Sequence, residues 1–262
     1  MSPEGTDCDS RSAQPAVCQP LSSASAKEQT IDVVLIHGAY HGPWCWDLLS
    51  EALRARGHGV VCPELPIDDP SAGTAAYADA VTPSIVHLDE PVLVAHSMAG
   101  TVSPLVAAAR PIRKLVFLAA FLAKPGTSCQ QQRQKEPVDP PYEPSRVEFT
   151  PIGEDLWTVG DETATEIFFH DVPPDRTAWA LARLRPQCYR WMTETTPLQA
   201  WPEVPVAAVV CTDDHAINPD WVRTAAQDRL GIEAREIDGG HSPFLSRPAE
   251  LAELLDGLFA DG

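Results

Sequence analysis

Short runs of consecutive apolar residues, each closed by glycine, histidine or another turn-forming residue, recur along this 262-residue chain and restrict its fold more than any other feature. They are Val33-Val-Leu-Ile36, Val60-Val61, Val92-Leu-Val94, Leu115-Val-Phe-Leu118 and Val206-Ala-Ala-Val-Val210. A strand with one wet face alternates apolar and polar side chains, whereas a strand covered on both faces is apolar throughout. Parallel strands need crossovers between them, and segments with helical spacing lie between these runs at 44–56, 72–87, 98–109 and 220–230. A last helix is expected after Ser246, read as its N-cap, with Pro248 in the first turn and Leu251, Leu254, Leu255 and Leu258 along one stripe. The pattern predicts an α/β architecture with a mostly parallel, doubly wound sheet.

The alternation breaks at 122–200, where the polar, proline-rich stretch QQQRQKEPVDPPYEPSR precedes a return of helical spacing. Trp157, Phe168, Phe169, Trp179, Leu181, Leu184, Trp191 and Met192 are too many large apolar side chains for a solvated loop. The segment therefore reads as a helical lid inserted into a core made of 30–121 and 201–262. Such a lid either packs for its own stability or lines a pocket. Residues 1–29 contain no aromatic residue, are rich in Ser, Ala, Pro and Gln, and read as a flexible N-terminal tail.

Charge excludes some partners. A net charge of −18 repels phosphate backbones and anionic lipid surfaces, which argues against nucleic-acid and membrane binding. No apolar run approaches the roughly 18 residues of a membrane helix, and the N-terminus lacks a signal-peptide core, so a cytoplasmic location is expected. Seven cysteines without a C-x-x-C pair point to free thiols in a reducing compartment.

The chemistry concentrates at the carboxyl ends of the predicted strands. Ser97 ends the strand beginning at Val92 and opens a helical segment, so a tight turn there would lift its hydroxyl out of the sheet edge as a nucleophile. The next backbone N–H, at Met98, sits at a helix start where an oxyanion is stabilised. His241 lies on the glycine-rich loop Asp238-Gly-Gly-His241 and is the candidate base. Cys211-Thr-Asp-Asp214-His-Ala-Ile-Asn-Pro219 offers two carboxylates, Asp213 and Asp214, to orient that histidine. His37-Gly-Ala-Tyr-His-Gly42 is a turn able to aim the Ala39 N–H at the same point.

Four segments together resemble α/β hydrolases of the plant methyl-esterase and hydroxynitrile-lyase branch, which includes salicylate-binding methyl esterases. They are VVLIHGAYHGPWCW at 33–46, VLVAHSMAG at 92–100, LAAFLAKPG at 118–126, and CTDDHAINPDW through GGHSPFLSRP at 211–248. The resemblance implies an α/β-hydrolase fold and an acyl-enzyme mechanism without a cofactor. By position it implies Ser97 as nucleophile, His241 as base, Asp214 rather than Asp213 as acid, and Ala39 with Met98 as oxyanion donors. Gly38, Tyr40, Phe121, Phe168 and Trp191 are the candidate substrate contacts. Lyases of this branch carry threonine where Gly38 stands and lysine where Ser242 stands, so the resemblance favours the esterase.

The elbow departs from G-x-S-x-G: it reads Ala95-His-Ser-Met-Ala99, with glycine only at 100. Each alanine adds a methyl group where strand and helix approach closely. His96 reads as a structural residue. His37 and His41 lack a nearby carboxylate or thiolate, so no metal is expected. His215 reads as a loop residue, and His58, His87 and His170 have no partner identifiable from sequence.

The expected activity is a carboxylesterase for a small or medium apolar or aromatic ester. The alternatives are a thioesterase or acyltransferase taking its acyl group from a thioester, possibly on an acyl carrier, or a ligand-binding receptor on the same scaffold. The chain is expected to be a monomer or homodimer.

Overall fold

The computed structural model describes Met1, residues 30–142 and residues 147–260. Beyond Met1, the expected N-terminal tail lies outside the described residues. The strands are β1 (Asp32–Ile36), β2 (Gly59–Val61), β3 (Val92–His96), β4 (Lys114–Leu118), β5 (Phe149–Pro151), β6 (Leu156–Val159), β7 (Gln187–Cys188), β8 (Val206–Cys211) and β9 (Arg235–Ile237). The α-helices are α1 (Asp47–Ala55), α2 (Thr74–Ile85), α3 (Ser103–Ala109), α4 (Cys129–Lys135), α5 (Asp161–Phe168), α6 (Pro174–Leu181), α7 (Arg190–Thr193), α8 (Pro219–Leu230), α9 (Pro243–Ser246) and α10 (Pro248–Ala260). Among the described residues no helix is long and apolar enough to cross a membrane.

Six strands form one sheet in the order β2-β1-β3-β4-β8-β9, and every neighbouring pair is parallel. Strand periodicity divides the core into two layers. Val34, Ile36, Leu93, Ala95, Leu115 and Phe117 pack on one face with Tyr77 and Val81 of α2, Val106 of α3 and Trp221 of α8. Val33, Leu35, Val92, Val94, Val116 and Leu118 pack on the other with Leu49 and Leu53 of α1 and Leu251 and Leu255 of α10. This double cover explains the unbroken apolar runs.

The last helix starts differently from expectation. Ser246 closes α9 and its hydroxyl donates to the Ser242 carbonyl, while the first backbone bond into α10 runs from Leu251 N–H to the Arg247 carbonyl. The Pro243 turn occupies the chain just before α10, so Ser246 is not free to cap it.

The lid is also not purely helical. Between α4 and α7 it holds a three-stranded sheet, β5-β6-β7, antiparallel throughout. Strands of two to four residues, one of them exposed along its length, leave too little alternation to read. Hydrogen bonds tie this lid to the core. Arg185 N–H donates to the Tyr40 carbonyl at 2.8 Å, and Tyr40 N–H donates to Gln187 Oε1 at 3.2 Å. Gln187 Nε2 in turn donates to the Tyr77 hydroxyl at 3.0 Å, and Cys188 N–H donates to the Ile67 carbonyl.

The closest approach between elbow and sheet falls at Gly100. A β-carbon there would lie 1.9 Å from the Phe121 carbonyl oxygen, which is backbone and has no rotamer to escape into. Ala95 and Ala99 are fully buried in the core layer and are accommodated as alanines. Gly100→Ala is therefore expected to cost about 3 kcal/mol and lower the melting midpoint by roughly 6–12 °C. Thermal denaturation of the purified variant reads this directly, and an unchanged midpoint would refute the contact.

Candidate active site

Ser97 follows β3 directly and has φ +53°. A left-handed conformation is uncommon for a residue with a side chain, and here it reverses the chain between strand and 3₁₀ turn Ser97–Thr101. The reversal is held from the segment after β4, where Phe121 N–H donates to the Ser97 carbonyl at 3.1 Å. Met98 is the next residue of that turn, so its N–H belongs to the opening group that has no partner within the helix. Gly38 lies across from the serine: a β-carbon at 38 would sit 2.9 Å from Ser97 Cβ and 2.9 Å from His96 Nδ1. The Gly38-Ala39 turn therefore packs on the elbow itself.

His241 and Asp214 form a buried pair, with Nδ1 and Oδ2 2.8 Å apart. The other carboxylate oxygen, Oδ1, accepts the N–H groups of Ala216 at 2.7 Å and Ile217 at 3.0 Å. Asp214 thus uses both oxygens as acceptors, and the protonated nitrogen of His241 is Nδ1. That leaves Nε2 with the lone pair a base needs. Asp213, the alternative acid, is largely exposed and faces His170 and His215 instead.

His96 donates from Nε2 to the His241 carbonyl at 2.9 Å, with the two rings 4.5 Å apart. It holds the base loop against the elbow, as its structural reading expects. Ser97 Oγ and His241 Nε2 share no hydrogen bond in this conformation. Such nucleophile–base bonds are often long in unliganded enzymes and tighten with substrate.

Two aromatic groups flank the site. On the His241 side Phe168 lies 5.8 Å from the imidazole and 6.2 Å from Tyr40, which also meets Phe149 at 5.9 Å. On the Ser97 side Phe121 packs edge-on against Trp191 at 5.5 Å. Tyr40 has φ +63°, so the turn after Ala39 is itself held in a left-handed conformation. Of the five candidate substrate contacts, Gly38 and Tyr40 lie on the turn facing the elbow, Phe121 on the segment after β4 that bonds to it, and Phe168 and Trp191 in the 122–200 segment.

Sequence reasoning missed two histidine partners. His58 pairs with Asp256 at 2.9 Å, and His170 meets Asp213 at 3.2 Å. Both partners are distant in sequence, and no local spacing signals them.

Three further histidines are buried and neutral. Desolvation lowers His37 to about 3, lowers His41 to about 4, and places His96 well below the ordinary histidine value. His37 and His41 each use Nδ1 toward a backbone carbonyl, and His37 Nε2 accepts the Leu65 N–H at 3.2 Å. They hold loops. Because their folded values lie below the unfolded value of about 6.5, the unfolded chain takes up protons that the fold refuses. Their contribution is complete above about pH 6.5 and is lost as pH falls toward their folded values. Stability is therefore expected to drop on acidification from pH 6 to 4, and His37→Gln to flatten the slope by about 1.4 kcal/mol per pH unit. Urea unfolding across that range measures it, and an unaltered slope would contradict it.

The alpha/beta hydrolase family model matches residues 33–254. The chain is 27% identical over 251 residues to methyl jasmonate esterase 1 of Vitis vinifera, covering 86% of this chain and 95% of that protein. In three dimensions it resembles the crystal structure of polyneuridine aldehyde esterase with a TM-score of 0.76 at 19% identity, over 88% of this chain and 99% of the other. A pyrethroid hydrolase from Sphingobium faniae JZ-2 superposes with a TM-score of 0.72 at 22% identity, over 89% and 98%. At such identities the structural likenesses speak for the fold.

Proposed function

The chain belongs to the alpha/beta hydrolase family and is an enzyme, and we propose that it is a serine carboxylesterase acting on small esters through an acyl-enzyme. The observation that carries the reading is Ser97 at φ +53° on the same sheet edge as the buried His241–Asp214 pair. A strained serine and an oriented imidazole are the parts acyl transfer needs, and neither is needed to hold a sheet together.

In this reading Ser97 Oγ attacks the ester carbonyl while His241 Nε2 takes its proton. The N–H groups of Ala39 and Met98 receive the oxyanion. His241 then protonates the departing alcohol as the carbon–oxygen bond breaks, leaving the acyl group on Ser97. Water repeats the sequence, giving its proton to His241 and releasing the acid as Ser97 recovers its hydrogen. Asp214 stabilises the imidazolium in both halves. Phe168, Tyr40, Phe121 and Trp191 favour an apolar or aromatic acyl or alcohol group.

Cyanohydrin cleavage is disfavoured at Gly38. Any side chain there meets His96 and Ser97 at 2.9 Å, so the threonine of the lyases has no room without a shift of the elbow.

A fluorophosphonate probe followed by peptide mapping tests the nucleophile, together with a panel of methyl esters graded from acetate to aryl acids. Labelling at Ser97 and preference for the aryl and longer acyl esters are expected. An unlabelled Ser97 would overturn the mechanism, and preference for small polar acyl groups would overturn the substrate class. Repeating the assay with thioesters and added alcohols or amines separates hydrolysis from acyl transfer to another acceptor.

A further inference from the structure

His170, Asp213 and His215 converge outside the catalytic centre, on the far side of the loop that carries Asp214. His170 follows α5 in the lid, whereas Asp213 and His215 flank the acid after β8. Their ligating atoms all lie within 4.8 Å of one another. Asp213 presents one oxygen to each imidazole, Oδ2 at 3.2 Å from His170 Nε2 and Oδ1 at 3.5 Å from His215 Nε2.

The tautomer of His215 makes this arrangement informative. Its Nδ1 lies 3.0 Å from the Glu166 carbonyl, which can only accept, so Nδ1 carries the hydrogen. In the neutral ring Nε2 is then a bare lone pair facing a carboxylate. Two electron-rich atoms at that range need a cation between them, either a proton or a metal ion. A backbone carbonyl fixing the far nitrogen of an imidazole is also how metal-ligating histidines are oriented. His170 Nδ1, meanwhile, is buried without a hydrogen-bond partner.

We infer that His170, Asp213 and His215 bind a divalent transition-metal ion of the zinc class, clamping the lid to the acid loop. A tetrahedral ion with bonds of about 2.0–2.1 Å spaces its donors about 3.3 Å apart, and each imidazole nitrogen stands near that distance from a different oxygen of Asp213, so the carboxylate turns one oxygen toward both on closing. Two imidazoles, one carboxylate and a water complete such a sphere. The site is open to solvent: both histidine side chains are 18% exposed and Asp213 is 68% exposed, so a hydrated ion has access. His170 and His215 are stacked at 3.7 Å, with Tyr142 stacked on His215 at 3.8 Å. Closing on the ion turns the two imidazoles out of that stack. The clamp reaches the base loop as well, since Asp171 accepts the Gly240 N–H at 3.0 Å and a β-carbon at 240 would lie 2.4 Å from His170 Cε1.

Isothermal titration of the full chain with zinc chloride, after chelator treatment and alkylation of accessible thiols, tests the site. One ion per chain with a dissociation constant of about 10 µM or tighter is expected, and His170→Ala weakens it by roughly thirtyfold or more. Asp213→Asn alters an exposed side chain and serves as the second variant if His170→Ala fails to fold, with the same loss expected. Electron paramagnetic resonance of the copper-loaded protein is expected to show two coordinated imidazole nitrogens. No saturation by about 100 µM zinc, binding unchanged in the folded variants, or fewer than two nitrogens on copper would overturn the proposal.

Discussion

Ser97→Ala is expected to lower kcat/KM for a methyl ester at least a thousandfold, leaving only what oxyanion donors and substrate binding achieve without a nucleophile. The change removes one hydroxyl from an incompletely buried position and leaves the hydrogen bond from Phe121 to the elbow in place, because that bond uses the Ser97 carbonyl. The melting midpoint should therefore stay within a few degrees of the parent. Alanine also keeps the strain at φ +53°, so loss of activity without loss of stability isolates the hydroxyl. Steady-state hydrolysis of an aryl methyl ester, with a thermal melt of the same sample, gives both readings. A variant retaining a tenth of the parent rate would refute covalent catalysis at this residue.

Asp214→Asn should be nearly as damaging, at about ten-thousandfold in kcat, for a reason legible in its hydrogen bonds. Both carboxylate oxygens accept: Oδ1 from two backbone N–H groups and Oδ2 from His241 Nδ1. Asparagine replaces one acceptor by a donor. If its oxygen faces the backbone pair, its amide donates to His241 and drives the proton onto Nε2, where it blocks acceptance from Ser97. If the amide turns the other way, donors face donors beside Ala216 and Ile217. Asp213→Asn perturbs neither arrangement and should cost at least a hundredfold less than Asp214→Asn. Comparable losses at the two positions would refute Asp214 as the orienting acid.

The parts of this architecture that the sequence exposes are those with a local physical cause. Parallel strands covered on both faces must be apolar throughout, so β1, β3, β4 and β8 stood out as uninterrupted runs. Ser97 and Asp214 each follow such a run, whereas His241 follows the short, mostly exposed β9 and is legible only from its glycine-rich loop. The choice between adjacent aspartates needed geometry, because only the direction of each side chain distinguishes a buried pair from an exposed one. The antiparallel strands of the lid escaped because β7 has two residues and β5 is solvated. The pairing of His170 with Asp213 escaped because 43 residues separate them. Ala95 and Ala99 are both buried in the elbow, and beside them lies a constraint that the motif does not show. The crowding is at Gly100, where the intruding atom belongs to β4's following loop and not to the motif.

The seam formed by Tyr40, Tyr77, Gln187 and Arg185 bears on how this scaffold can be rebuilt. A lid attached only through its two chain ends would be a module, exchangeable between relatives to trade one specificity for another. Here one amide side chain of the lid, Gln187, accepts from the turn beside the proposed oxyanion donor Ala39 and donates to a tyrosine of α2. A transplanted lid that brings an apolar residue to position 187 would leave the Tyr40 N–H and the Tyr77 hydroxyl without this partner, with only the Arg185 N–H still holding the turn, even if its pocket were ideal. Lid exchange in this enzyme must therefore move Gln187 together with its core partners, and chimaeras that ignore this are expected to bind new esters without turning them over.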